Sequence, residues 1–292
     1  IIVQSGLGLG QVPDLEQLAL KRPSIFQYAR QANRKTCFIN SQKAKFDNHM
    51  GLYDYRDIDR FIHIGEAFPE LPKWMHDQAA AQCIVDFLDT PDQTFTYVVK
   101  YGAHFPYCKM YPHDGGEPAL LRVVPESDFS GEENPEDEFS DYRNAVRWSV
   151  DEFFRKLIPG LEGKDYLLFY ISDHGQSLDS HRGLLNPTPH NTPEHPPSEQ
   201  AVTPMFMIAS RPDGTALNPE LVSRMLANRD RLSHFQVFPT LLCFLGYDRK
   251  EINECYGATV FDQVPEERYF VSGDLFGRDK CEKNLFRKDG PG

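Results

Sequence analysis

The 292-residue sequence contains no run of about 18 apolar residues, which excludes a membrane-spanning helix within it. Its first residues lack the charged segment that opens a secretory signal peptide. The six cysteines, Cys37, Cys83, Cys108, Cys243, Cys255 and Cys281, include no C-x-x-C pair, which argues against a zinc ribbon or a thioredoxin-type motif. Positive charge is scarce: 31 Lys and Arg stand against 43 Asp and Glu, so the formal charge of -12 offers no general attraction to nucleic acid or anionic lipid. A G-x-x-x-x-G-K-[ST] phosphate loop is missing, and so is any internal repeat.

What is present is the composition of an ordinary globular protein, 40% hydrophobic and 25% charged, long enough to bury one large core. Continuous apolar runs occur at 35–40 ("KTCFIN"), 94–101, 166–172 and 204–210. Runs that do not alternate fit strands buried on both faces, as in parallel sheets covered by helices. Helical stripes lie between them. Ile25, Tyr28, Ala29 and Ala32 make the first; Cys83, Ile84, Phe87 and Leu88 belong to a second that begins near Pro72. A third, over 140–158, carries Val146, Val150, Phe153, Phe154 and Leu157 and stops at Pro159-Gly160; a fourth, over 233–245, stops at Gly246. The alternation predicts an α/β fold, a doubly wound, mostly parallel sheet with helices on both faces. Residues 1–246 form its main domain, and 247–292, with "ATVFD" and "RYFVSGDLFG", a small antiparallel C-terminal appendage. Cys37, Cys83 and Cys243 sit in apolar runs and read as buried thiols, whereas Cys255 and Cys281 lie in polar stretches and could pair in an exported chain.

Two stretches, 112–137 and 175–203, break the pattern with Gly, Pro and polar residues and predict long loops after strand ends, where open α/β sheets place their sites. The second should be poorly ordered without ligand, since its five prolines deny it ladder hydrogen bonds. The strand at 166–172 runs directly into Asp173, His174 and Gly175. A carboxylate and an imidazole presented by one rigid element suit zinc or manganese. A plain turn, with Asp173 as cap and His174 solvated, is the bland alternative. Its weight falls because 94–101 likewise leads into His104, and because the long loop adds His181, His190 and His195.

"YISDHGQSL", "GAHFPYCKMYP" and "SIFQYARQANRKTCFINSQ" together resemble the sulfatase-like branch of the alkaline phosphatase superfamily, most of all bacterial phosphoethanolamine transferases. That resemblance covers residues 23 to about 246 and includes Tyr142, Asn144 and Asp151 on the third helix. It implies that Asp173 and His174 ligate a catalytic divalent metal, zinc before manganese or calcium. It also implies that His104 contacts the transferred phosphoryl group or a second metal, and that His190, ahead of His195, is the family's later histidine. His181 and His113 then remain loop residues, and His234, near a helix N-terminus, has a packing or capping role. The activity implied is transfer of a phosphoethanolamine-type head group, through a phospho-enzyme, from a phospholipid donor to a lipid or glycan acceptor such as lipopolysaccharide. The place implied is the periplasmic face of a bacterial inner membrane, for a monomer held by an N-terminal anchor, without nucleic acid as partner.

The sequence departs from the family pattern at Gln176, where the transferases have Glu. It also has no Thr before Thr36 and no acid before Asp14, which implies that the nucleophile and first acidic ligand lie upstream of Ile1; Ser5 is the early hydroxyl at hand. Two other readings stay open: a sulfatase or phosphodiesterase that uses water as acceptor, and a non-catalytic relative that keeps the fold for binding or regulation.

Overall fold

The computed structural model describes residues 2–42, 54–113, 135–178, 196–210, 218–277 and 281–286. Short helical turns aside, the elements in chain order are α1 (Ile25–Gln31), β1 (Lys35–Asn40), β2 (Arg60–His63), α2 (His76–Phe87), β3 (Thr94–Val99), α3 (Pro135–Val146), α4 (Phe153–Gly160), β4 (Tyr166–Ile171), β5 (Met205–Ser210), α5 (Pro219–Ala227), α6 (Val237–Leu245), α7 (Arg249–Tyr256), β6 (Tyr269–Gly273) and β7 (Cys281–Leu285). They fall into two compact units. The first is built from Ile1–Ala32 and Gly163–Gly292, the second from Asn33–His49 and Asp54–Glu162.

The second unit holds a parallel sheet of order β2-β1-β3. Its centre is β1, buried from Thr36 to Asn40, as a continuous apolar run requires. Phe38 meets Phe61 on one neighbour and Tyr97 on the other, with ring centroids 5.2 and 5.8 Å apart. Burying such a side chain contributes about 1.5–3 kcal/mol. The register aligns Asn40 with both His63 and Val99, so the chain leaves all three strands at one level. α2 packs on β1 and on α4. Between α3 and α4 the backbone widens into a π-helical turn, Arg147–Glu152.

In the first unit β4 and β5 pair antiparallel, Tyr166 opposite Ser210 and Ile171 opposite Met205. The helix α6 is apolar except for Thr240 and buries Val237, Phe238 and Leu242; α1, whose Ile25, Phe26 and Ala29 are buried, packs against it. Tyr28 ties this core to α7, its hydroxyl 2.7 Å from that of Tyr256. β6 and β7 form the antiparallel pair expected near the C-terminus.

The α/β reading and the ends of the fourth helix hold: Ser233 caps the turn that leads into α6, and Gly246, at φ 96°, ends it. The direction of two strands differs from expectation. An apolar run shows that a strand is covered, not which way its neighbour points, and β4 and β5 lie against each other. The third helix starts earlier than 140, at Pro135, because proline is preorganised for a first helical turn. β2 escapes a periodicity reading because four residues bounded by Arg60 and His63 carry no pattern. All six cysteines are free, Cys255 and Cys281 included, and Cys243 is half-buried.

Candidate active site

In the first unit, β4 ends at Ile171 and the next four residues form a tight turn. Ser172 Oγ donates to the carbonyl of His174 at 2.8 Å. The amide of Gly175 donates to the Gln200 carbonyl at 2.8 Å. Glycine is required there, since a Cβ would overlap the carbonyl oxygens of Glu199 and Val202. Asp173 is 80% exposed in its side chain, with Oδ1 accepting from the His174 amide at 3.0 Å. His174 Nδ1 lies 2.7 Å from the Gly175 carbonyl. A carbonyl only accepts, so Nδ1 carries the proton and Nε2 is the basic nitrogen, 3.7 Å from Asp173 Oδ2. The bland turn reading therefore describes the backbone correctly and leaves the two donor atoms side by side.

Behind this turn stands His234. Its Nε2 donates to the Ser172 carbonyl at 2.7 Å. Removal from water pushes its pKa below the ordinary value, while the Ser172 carbonyl and Asp173 pull the other way.

In the second unit, β3 leads through Lys100 and Tyr101 into Gly102, at φ 66°, and on to His104, which is exposed. His104 Nδ1 donates to the carbonyl of the following residue, Phe105, at 2.6 Å. This repeats the pattern of His174, so Nε2 is again the basic nitrogen. The carboxylate of Asp77, in the first turn of α2, accepts from the amides of Tyr101 and Gly102. Lys100, at the start of this loop, is half-buried, its ammonium donating to the Ser149 carbonyl of the π-helical turn and lying 4.1 Å over the Phe153 ring. Burial lowers its pKa, opposed by Asp77.

Histidines not singled out in the sequence also stand at this strand edge. His63 donates through Nε2 to the Gln42 carbonyl and accepts the Glu66 amide at Nδ1, at 3.2 Å. His76 donates through Nδ1 to the Ser41 carbonyl at 3.1 Å. Each is buried, and the rings approach one another over Gly65, where a Cβ would lie 3.3 Å from both Cε1 atoms. Only its place at a parallel strand end could have drawn notice to His63; His76, the first residue of α2, carries no such signal. On α3, Asn144 is fully buried, Tyr142 packs edge-on to Tyr107 and the Tyr111 hydroxyl donates to Asp141. Asp151 is exposed. Ser5 is fully buried. Asp14 is equally buried, its two oxygens accepting the amides of Leu18 and Ala19 at 2.7 and 2.9 Å. His181, His190, His195 and most of the loop expected to be poorly ordered lie outside the described residues.

The donor chemistry of Asp173 and His174 fits zinc: a carboxylate oxygen and an imidazole nitrogen whose partner nitrogen is fixed by a carbonyl. Two donors do not fill a coordination sphere, and among the described residues no cluster of three or more His, Cys, Asp or Glu donors converges.

The family model for sulfatases matches residues 4–247. The chain belongs to the sulfatase family. A curated relative, the Kdo(2)-lipid A phosphoethanolamine 7''-transferase of Escherichia coli (strain K12), is 24% identical over 160 residues, which cover 52% of this chain and 27% of that protein. The chain thus spans little more than a quarter of that relative's length. Among solved structures, the C-terminal periplasmic domain of EcEptC from Escherichia coli in complex with Zn superposes with a TM-score of 0.67 at 16% identity, over 96% of this chain and 76% of that one. An alkaline phosphatase superfamily protein from Vibrio parahaemolyticus gives 0.54 at 17% identity, over 93% and 60%. These structural likenesses establish the fold of this sulfatase-family chain. Among its described residues no helix is long and apolar enough to cross a membrane.

Proposed function

We propose that this chain is catalytic-domain sequence of a metal-dependent transferase. It moves a phosphoethanolamine-type head group from a phospholipid to a lipid or glycan acceptor of the cell envelope, on the periplasmic side of the inner membrane. The observation that carries the reading is the Asp173-His174 turn of a sulfatase-family fold, with His174 held in the tautomer that exposes a basic Nε2 beside a carboxylate. The similarity to a phosphoethanolamine transferase supports the choice of head group.

In this reading Asp173 and His174 hold a divalent ion, zinc before manganese or calcium. Such an ion lowers the pKa of a bound hydroxyl and offsets charge on the phosphoryl oxygens. A hydroxyl nucleophile of the enzyme attacks phosphorus, and the diacylglycerol oxygen leaves with a proton. The acceptor hydroxyl then attacks the phospho-enzyme, gives up its proton and regenerates the free nucleophile. His104, with its proton fixed on Nδ1, has a basic Nε2 to take or return one of those protons. His190 is proposed as a further phosphoryl contact.

The test combines zinc titration of the 292-residue chain with mass spectrometry of envelope lipids from cells carrying wild-type or variant alleles. Loss of stoichiometric zinc on Asp173→Ala with His174→Ala, and loss of the head-group adduct in the same cells, is the expected result. Zinc binding indifferent to both substitutions removes the metal assignment. Release of free phosphoethanolamine with no adduct on any acceptor replaces transfer by hydrolysis, the phosphodiesterase reading.

A further inference from the structure

We infer that His234 is a positioning residue for the Asp173-His174 turn, an inference that rests on the metal reading above. The turn is tethered at three backbone points. The amide of Ser172 reaches the Pro204 carbonyl at 3.4 Å, the amide of Gly175 the Gln200 carbonyl at 2.8 Å, and the carbonyl of Ser172 receives the imidazole N–H of His234 at 2.7 Å. The third differs from the others because a peptide unit is planar: the Ser172 carbonyl shares its plane with the Asp173 amide. Holding that oxygen fixes the direction in which the chain enters Asp173, and with it the carboxylate that stands 3.7 Å from His174 Nε2.

The donor itself is anchored. Ser233 accepts from the Phe235 amide through its hydroxyl, while its own amide donates to Gln236 Oε1 at 2.8 Å. The chain then enters α6, whose Val237, Phe238 and Leu242 are almost wholly withdrawn from solvent. A rigid buried helix thus carries an N–H to the one carbonyl that orients the exposed Asp173. A histidine kept only for packing has no need to meet that oxygen. Groups hydrogen-bonded directly to metal ligands change metal affinity by about 10- to 100-fold when lost; His234 acts one residue further back, through the Ser172 carbonyl, so the lower end of that range applies.

The experiment titrates zinc against a chromophoric chelator in the 292-residue chain as wild type, His234→Gln, His234→Phe and the Asp173→Ala, His174→Ala double variant, with thermal unfolding of the zinc-free proteins alongside. Gln places an amide N–H where Nε2 stands; Phe keeps the ring and removes the donor. His234→Phe should weaken zinc binding about tenfold, while His234→Gln keeps the wild-type affinity. If His234→Phe does not fold, His234→Asn, whose amide falls short of Ser172, takes its place with the same expectation. Wild-type affinity in His234→Phe, or an equal loss in the Gln and Phe variants, overturns the positioning role while the double variant still reports on the metal reading. Zinc binding undiminished in the double variant overturns both.

Discussion

The carboxylate of Asp77 accepts from the backbone amide of Tyr101 at 2.7 Å and from that of Gly102 at 3.0 Å. A helix N-terminal residue therefore fixes the loop that leaves β3, and the loop carries His104. The bonds are charge-assisted, and their acceptor is almost wholly withdrawn from solvent, Asp77 being 3% exposed, while Tyr101 and Gly102 are half-buried.

From this relationship follows the effect of Asp77→Ala. It should destabilise the second unit by about 2–4 kcal/mol, the loss of two part-buried hydrogen bonds to a charged group, and a Lys100 ammonium deprived of its nearby carboxylate adds to it. Asp77→Asn, which keeps one acceptor, should cost less than Asp77→Ala. Urea unfolding of the three proteins measures the order; equal midpoints for Ala and wild type would contradict it.

Gly175→Ala should act on the other turn. With a Cβ aimed at two carbonyl oxygens, the 3-10 turn Ser198–Ala201 or the Asp173-His174 turn has to move. The expected destabilisation is about 1–3 kcal/mol, as for other forced overpacking, and zinc affinity should fall with it. Calorimetry of the zinc-free and zinc-loaded variant separates the two effects, because displaced ligands shrink the thermal gain on adding zinc.

Lys100 gives a pH dependence of known sign. Burial lowers its folded-state pKa below the ordinary 10.5, so over that interval the unfolded chain binds the extra proton and stability rises with pH. The gain starts at the folded pKa and is complete above 10.5. Lys100→Met has no such proton to release, so the stability difference between variant and wild type should shift in favour of wild type as pH rises toward 10.5. Denaturant midpoints of both proteins across the alkaline range test this; a pH-independent difference would mean that the ammonium is not desolvated in the folded state.

Much of this was legible in the residues, and the exceptions share a cause. "KTCFIN" announces a buried strand because its own composition decides the matter, and Ser233 and Gly246 bracket a helix by local capping chemistry. "RFIH" becomes a strand only by pairing with β1, and the antiparallel match of β4 with β5 depends on a neighbour 34 to 44 residues away, from Ile171 with Met205 to Tyr166 with Ser210. The site divides the same way. Asp173, His174 and His104 stand out because strand ends deliver them. Asp77 and His234 look like ordinary helix-end residues until the fold brings a backbone amide to one and a carbonyl to the other, partners 24 and 62 residues distant.

His104 offers the sharpest test of the proposed chemistry. Its Nδ1 is committed to the Phe105 carbonyl, so any proton transfer passes through Nε2. Asn at this position can keep the local bond from the Nδ1 position but has nothing at Nε2; Gln has a donor near Nε2 that cannot take up a proton. If His104 acts as acid or base, both substitutions should lower head-group transfer by about 10²–10⁴-fold, the usual contribution of a positioned proton carrier. If it only hydrogen-bonds a phosphoryl oxygen, Gln should retain much more activity than Asn. Zinc affinity is expected to stay at the wild-type value in both variants, since the metal is assigned to Asp173 and His174. A parallel loss of zinc in His104→Asn would instead make His104 a ligand, leaving proton transfer to another residue.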